Sequence, residues 1–546
     1  VAADRGAPAR RPAVEDAATA YDGTTMSVTA LRSPRRFAAA TVTALLAAAA
    51  LAGCGATSGA GQADPAALVP ASAPVYAEAV VNPGGAEQAD AEAALRRILR
   101  TSDPRGELVA LFDRAGRDGG VQFARDVEPW LGDRAGVALL ALGDGRGGKD
   151  AVLVAASRDD AKAADAVARM TDNGAERTYR DVTYRVGGRD RIAAAVLGES
   201  VVLGTENALK AAVDASKGSS LAEADRLKKA RAAVSEERVG FLYLDVGGLL
   251  RQALGAGGDG AAQAAPFLAP VASALPSTVG VALDTEPDLL RMDAAIFGPA
   301  PKGAASAAQA LAMVPADAWL GVGIGDLGQT LGGVLDQLSS GGGLAGVGVE
   351  ALLAQVRQGT GLDIRRDVIA WMGDAAVFAT GTSASQAGGG LVVRSKDAAA
   401  TRSAVRRLAV LARESSGRDV APLRAAGVDE GFIVRDGGRG QDLFVAAGGD
   451  RFVVAAGAGA LREALSPKGS LTTTAAFRDA AGKLGGGVEP SFFVDLQGLG
   501  AVNSAGAKPG RDAGKAREHL DAFGALVGGT KPDGDITRGR AVATLR

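Results

Sequence analysis

The sequence is poor in the residues that most often carry chemistry. Its 546 residues include one cysteine and one histidine. A single thiol excludes an intrachain disulfide and a thiolate zinc site, which needs several ligands. A single histidine, His519, excludes the paired-histidine metalloprotease motif. Aromatics are scarce at 4%, and neither charge sign dominates, with 60 Lys and Arg against 62 Asp and Glu. Without a basic excess there is no field for wrapping nucleic acid, whose affinity comes largely from neutralised phosphates. The apolar run Phe37 to Leu51 is about 15 residues, short of the roughly 20 that span a bilayer as a helix. What is abundant is small: Ala and Gly are over-used, with 77 glycines, and the apolar fraction is 47%. That fraction is globular rather than disordered, and the small side chains predict thin, close-packed layers with many turns.

The amino-terminal part reads as an address. Arg32, Arg35 and Arg36 precede the apolar run, which ends in Leu51-Ala52-Gly53-Cys54. A basic stretch, an apolar stretch and a small-residue cleavage site stand in the order of a signal peptide. The last four residues resemble the lipobox of bacterial lipoproteins. That resemblance implies cleavage between Gly53 and Cys54 and diacylglyceryl transfer to the Cys54 thiol, the chain's only one. The mature protein is then expected on the extracytoplasmic face of the cell membrane, held by acyl chains; two or three make a stable anchor where one is marginal. Residues 1–25, ahead of Met26, are expected to be an upstream mis-start, 26–53 the signal peptide, and 54–65 a flexible Gly/Ser/Ala tether.

The remaining chain repeats itself. Val69-Pro70-Ala71 recurs as Val314-Pro315-Ala316, and Trp130-Leu131-Gly132-Asp133 as Trp371-Met372-Gly373-Asp374. Phe241-Leu242-Tyr243-Leu244-Asp245 recurs as Ser491-Phe492-Phe493-Val494-Asp495, and Thr285-Glu286-Pro287-Asp288 as Thr530-Lys531-Pro532-Asp533. The order is kept and the spacing is nearly constant. Two homologous halves are expected, 66–298 and 312–546, joined by a linker over 299–311 whose Pro and Gly break helix and strand. Hairpins and helices mix without regular βαβ units. Each half is therefore expected to be α+β, a mainly antiparallel sheet with helices packed on one face. Thr178 to Val186 alternates and reads as a strand, as do Gly136 to Leu142 and Ala151 to Ala156.

The candidate sites are few. Gly323-Ile324-Gly325-Asp326-Leu327-Gly328 fits a dinucleotide fingerprint, but no second strand follows at βαβ spacing and the first half has no glycines there. It reads as a chance match, and Gly388-Gly389-Gly390 as a flexible connection. Trp130 and Trp371 read as plugs between helix and sheet. Asp133 and Asp374 read as turn residues; their functional alternative is a symmetric carboxylate pair. Asp245 and Asp495 follow strands and precede helices, as N-caps do. Arg125-Asp126 and Arg366-Asp367 read as surface pairs of small energetic value. His519 has no nucleophile context. No catalytic constellation, cofactor motif or metal-ligand set emerges.

With the lipobox, the Val-Pro-Ala starts, Trp-Leu-Gly-Asp and the repetition together, the chain resembles a family of bacterial envelope lipoproteins catalogued as domain of unknown function 3352. The resemblance implies an extracytoplasmic, membrane-anchored protein and supplies no activity. The expected function is a binding or scaffolding protein of the cell envelope, not an enzyme, with a protein, glycan or lipid as partner. The alternative is a carrier of an apolar or lipid ligand in a cavity within or between the halves. A carboxylate-based hydrolase using Asp133 or Asp374 ranks third.

Overall fold

A computed structural model describes residues 63–81, 85–116, 120–141, 150–187, 192–236, 238–256, 276–298, 304–340, 349–383, 386–415, 417–435, 441–506 and 520–546. The expected signal peptide, the expected Gly53–Cys54 cleavage and acylation site, most of the expected tether and His519 lie outside the described residues.

The first half contributes strands β1 (Val75–Val80), β2 (Leu131–Ala141), β3 (Asp150–Ser157), β4 (Ala175–Tyr179), β5 (Val182–Gly187), β6 (Ile192–Val196), β7 (Ser200–Gly204), β8 (Gly240–Asp245), β9 (Thr278–Glu286) and β10 (Leu289–Phe297). Its helices are α1 (Gly85–Leu99), α2 (Pro104–Gly116), α3 (Asp160–Met170), α4 (Glu206–Ser216), α5 (Asp225–Ala232) and α6 (Val246–Ala256). Every pairing is antiparallel, and the strands lie side by side as β4-β5-β6-β7-β3-β2-β1-β8-β9-β10.

The second half contributes β11 (Ala318–Ile324), β12 (Met372–Thr380), β13 (Gly388–Ser395), β14 (Asp419–Pro422), β15 (Glu430–Arg435), β16 (Leu443–Gly448), β17 (Arg451–Ala456), β18 (Phe492–Asp495), β19 (Phe523–Asp533) and β20 (Ile536–Leu545). Its helices are α7 (Ala304–Ala310), α8 (Leu327–Ser340), α9 (Val349–Thr360), α10 (Ala398–Ser415), α11 (Ala458–Leu465), α12 (Ala475–Leu484) and α13 (Leu496–Gly506). The side-by-side order is again the same, β14-β15-β16-β17-β13-β12-β11-β18-β19-β20. Strands β10 and β20 then pair with each other, Leu289 opposite Thr544 through Phe297 opposite Ile536. The result is one open sheet of 20 strands. The fold is α+β and antiparallel, as the sequence implies.

The single helix-covered face expected for each half is replaced by two. Consecutive residues of β3 alternate between buried clusters. Val152 and Val154 join Leu209, Ala212 and Val213 of α4, while Leu153 and Ala155 join Ala163, Ala166 and Val167 of α3. In the second half Val392 joins the α11 and α12 side, and Val393 joins α10. A strand buried on both faces reads as an unbroken apolar run, and Ala151 to Ala156 is one. The helices start on side-chain caps: Asp159 accepts from the Lys162 amide at 3.1 Å, and Thr205 from the Ala208 amide at 3.1 Å.

Three further expectations change. The alternating segment Thr178 to Val186 is two strands, β4 and β5, because Arg180 and Asp181 both take positive φ, 45° and 65°, and make a two-residue hairpin turn. Gly388-Gly389-Gly390 opens β13 rather than a flexible loop. Finally, the Thr-x-Pro-Asp likeness is two residues out of structural register. Asp245 pairs with Thr278 and Asp495 with Ala525, which places β19 at 247 residues beyond β9, not 245. Pro287 thus lies in the β9–β10 turn, whereas Pro532 pairs with Thr537 inside the hairpin.

Candidate functional site

Each sequence marker has a structural employment. Trp130 and Trp371 are 2% exposed and follow short π-helical turns, Phe123–Val127 and Ile364–Ile369. Their indole N–H groups donate to the Asp126 and Asp367 carbonyls at 2.6 and 2.9 Å. Trp371 also meets Phe452 edge-on, with ring centroids 5.2 Å apart. Asp133 stands at the start of β2, and burial pushes its carboxyl above the ordinary value against the pull of Arg158 and Arg134. Asp374 accepts from the Asp326 amide at 3.0 Å. The two carboxylates do not converge: nine strand steps separate β2 from β12, a path of about 43 Å along the sheet. Asp245 is buried, caps α6 through the Gly248 amide at 2.8 Å, and pairs with Arg226.

The Arg-Asp pairs are clamps rather than surface ornaments. Asp126 is 1% exposed. It accepts from the Gln122 amide at 2.8 Å, from Arg125 Nε and Nη2 at 2.9 and 2.7 Å, and from Arg169 Nε of α3 at 2.9 Å. Burial raises its carboxyl, and these donors more than offset it, leaving it below the ordinary aspartate value. Asp367 repeats the arrangement with Arg366, the Asp363 amide and Arg407 of α10. The Arg366 bond leads in holding it down at about 2.

A second buried network has no counterpart among the described residues of the other half. Arg231 of α5 grips Asp64 through two bonds, 2.8 and 3.0 Å, and reaches Glu78 of β1 at 2.5 Å. The Tyr76 hydroxyl donates to the same Glu78 oxygen at 2.8 Å. Asp64 also caps the 3-10 turn Pro65–Leu68, so the tether ends earlier than residue 65. In the second half this place holds Gly321, packed under Leu471 and Val314, and Gly323, with α7 laid directly upon it. A Cβ on Gly323 would come within 1.9 Å of the Ala307 carbonyl oxygen. A Cβ on Gly328 would likewise crowd the Met372 and Ile369 carbonyl oxygens, at 2.6 and 2.7 Å. Two glycines of the apparent dinucleotide fingerprint thus serve backbone packing.

Asp495 lines a cavity. A cleft of about 810 Å³ is bounded by Arg96, Arg97 and Arg100 at the end of α1, Asp495 and Gln497 at the start of α13, and Asp521 and Arg546 beyond it. The first three come from one half and the rest from the other. Arg100 takes φ 51°, and the following Thr101 amide bonds back to the Arg96 carbonyl at 3.2 Å. That stop turns the arginines toward the cleft rather than along a continuing helix. Opposite, Asp495 caps α13 through the Gln497 amide at 3.1 Å. Gly498 lets α13 approach β11, since a Cβ there would lie 2.5 Å from the Trp319 Cβ. The carboxy terminus is fixed by the Arg546 amide on the Ala522 carbonyl at 2.9 Å. Four exposed guanidiniums thus line the cleft with two half-buried carboxylates, a glutamine and Thr382, and one of the four, Arg96, is also paired with Glu92 of its own helix at 2.8 Å. Asp245 has Arg226 beside it; at Asp495 no such ion pair forms among the described residues. Nothing local in the sequence marks this cleft, because its walls are about 400 residues apart in the chain.

Comparison with known proteins identifies one family. The family described as "Protein of unknown function (DUF3352)" matches residues 37–506. The chain belongs to that family. The match takes in the first half and the second as far as the end of α13, and so includes α1 and α13 at the cleft. Among solved structures the chain is similar to crystal forms I, III and IV of TP0453. They are 12%, 13% and 13% identical, with TM-scores of 0.25, 0.24 and 0.24. They cover 44%, 44% and 43% of this chain, and 81%, 82% and 80% of theirs. No curated protein matches. Among the described residues no three His, Cys, Asp or Glu side chains gather as a metal site, and no helix is long and apolar enough to cross a membrane.

Proposed function

We propose that this family member is a lipid-anchored binding protein of the extracytoplasmic membrane face, whose cleft between α1 and α13 takes a polar, anionic ligand. The observation that carries the binding reading is the lining of the cleft. Arg96, Arg97, Arg100 and Arg546 outnumber Asp495 and Asp521 by four to two. Guanidinium forks suit carboxylate and phosphate, and Asp, Gln and Thr groups suit hydroxyls. The ligand class that uses both is an acidic saccharide or sugar phosphate. The volume is in the range of small-molecule sites, about 300–1,000 Å³. A carrier of apolar ligands would need Leu, Val and Phe walls, and this cleft has none. The anchor rests on the Leu51-Ala52-Gly53-Cys54 lipobox and the basic and apolar stretches before it.

Two measurements test the two parts. Calorimetric titration of the full chain in detergent with glucose 6-phosphate, galacturonate and glucose should show binding of the charged sugars only. Each charge-assisted contact is worth roughly 1.5–3 kcal/mol, so Arg96→Ala/Arg97→Ala/Arg100→Ala should weaken binding by about a hundredfold or more. Equal binding of glucose, no binding of either charged sugar, or an indifferent triple variant, overturns the ligand assignment. For the anchor, Cys54→Ser should lose palmitate-analogue labelling and leave the membrane fraction. A labelled, membrane-bound Cys54→Ser protein overturns it.

A further inference from the structure

The seam between the halves has the geometry of a symmetric dimer interface. In a two-fold antiparallel strand pair, the axis passes through one residue facing its own equivalent. Strand equivalence across the halves is 247 residues at the last hairpin, as the turns show: Glu286 and Leu289 close one, Asp533 and Ile536 the other. In the β10–β20 register, Asp293 faces Arg540, and 293 plus 247 is 540. The pair at the centre of the seam is thus a residue and its own counterpart. Contacts beyond the strands also run in both directions across the seam. The end of α12 reaches the first hairpin, Lys483 Nζ to Asp288 at 2.8 Å. The end of α5 reaches the second, with the Ala233 carbonyl accepting from Arg538 at 2.6 Å. Helices α5 and α12 hold the same place in their halves, each just before the strand that pairs with β1 or β11.

At the axis the two copies carry opposite charges. Arg540 Nε and Nη2 hold the two Asp293 carboxylate oxygens at 2.5 and 3.1 Å. Both side chains are largely shielded, at 25% and 17% exposure. If two first halves met along β10, Asp293 would face Asp293; if two second halves met along β20, Arg540 would face Arg540. Like charges directly opposite destabilise a strand pair, and opposite charges favour it.

We infer that the β10–β20 seam is a two-fold interface between unit folds, and that Asp293 and Arg540 at its axis make each half accept the unlike half and reject its own kind. The partner this edge fits is the complementary half, whether from the same chain or from a second copy. The pair acts as a selector and the flanking backbone ladder as the adhesive.

The test uses the full chain with a protease-recognition sequence placed in the 299–303 linker and cut after folding. Native mass spectrometry then counts like and unlike pairs of halves, and a dilution series on size exclusion gives their dissociation. The cut wild type should remain a one-to-one complex of unlike halves. Asp293→Arg or Arg540→Asp alone should weaken it by about tenfold or more, and the exchanged double variant Asp293→Arg/Arg540→Asp should recover to within about threefold. Asp293→Ala/Arg540→Ala should permit pairs of like halves after mixing. Like pairs in the wild type, single reversals without effect, or a folded exchanged variant that does not recover would each overturn the inference. Separation of the cut wild type into monomeric halves would overturn it as well.

Discussion

Removing the Asp126 carboxylate should cost the first half more stability than any other single charge change at its surface. Asp126→Ala deletes four bonds at once: one from the Gln122 amide and three from guanidinium nitrogens of Arg125 and Arg169. The two arginines are 55% and 45% exposed, so water replaces much of what they lose, and each pairing is worth about 0.2–1 kcal/mol. The amide loses a charged acceptor, worth about 1.5–3 kcal/mol. Relief of the carboxylate's own desolvation offsets part of the total. The net is about 2–3 kcal/mol. Asp126→Asn keeps an acceptor for the amide and should cost about half as much, and Arg125→Ala about 1 kcal/mol or less. Urea unfolding of the full chain, followed by tryptophan fluorescence, reads this directly, since the Trp130 indole is bonded to the Asp126 carbonyl. The ordering matters more than the values. An Asp126→Ala chain within about 0.5 kcal/mol of wild type, or one no worse than Arg125→Ala, refutes the clamp.

Acid should weaken the fold over a defined window. Asp126 and Asp367 lie below the ordinary aspartate value, and Glu206 falls to about 2 through bonds from Lys210, Tyr184 and Arg177. A carboxylate depressed in the folded state stabilises it fully above its unfolded pKa and loses that contribution as pH falls through the folded one. Thermal stability should therefore fall from about pH 4 toward pH 2, and a rise on acidification would contradict the assignment. Trp371→Ala should cost about 3–5 kcal/mol by chemical unfolding, as a buried aromatic lost from a packed cluster. Gly323→Ala should destabilise by about 1–3 kcal/mol or more because α7 must move, whereas Gly459→Ala, with open space around it, should be neutral or stabilising; calorimetric melting temperatures compare the two.

Much of the architecture was readable because it rests on local signals. Alternation and apolar runs marked the strands, but not that helices would cover both faces of the sheet. Asp245 was legible as the cap of α6. The β4–β5 turn was not readable, because its two positive-φ residues are Arg180 and Asp181 rather than the Asn-Gly such turns prefer. Sequence likeness also misled at the last hairpin, where Thr-x-Pro-Asp matches letters two residues out of register. The clamps looked like surface pairs because Arg125 and Asp126 are neighbours, and their third member, Arg169, is 43 residues away. The cleft needed the fold itself, since its arginines and Asp495 meet only when the two halves share a sheet.

The grip of Arg231 on Asp64 also sets a leash length. Nine residues lie between the clasp and Cys54, ten steps that reach at most about 36 Å fully extended. The row of strands is far wider: thirteen steps, about 62 Å along the sheet, run from β1 beside the clasp to the free edge β14. Under the anchor proposed at Cys54, the molecule would hang from an off-centre point. It would not tumble freely above the bilayer, and its second half would be the end that swings outward.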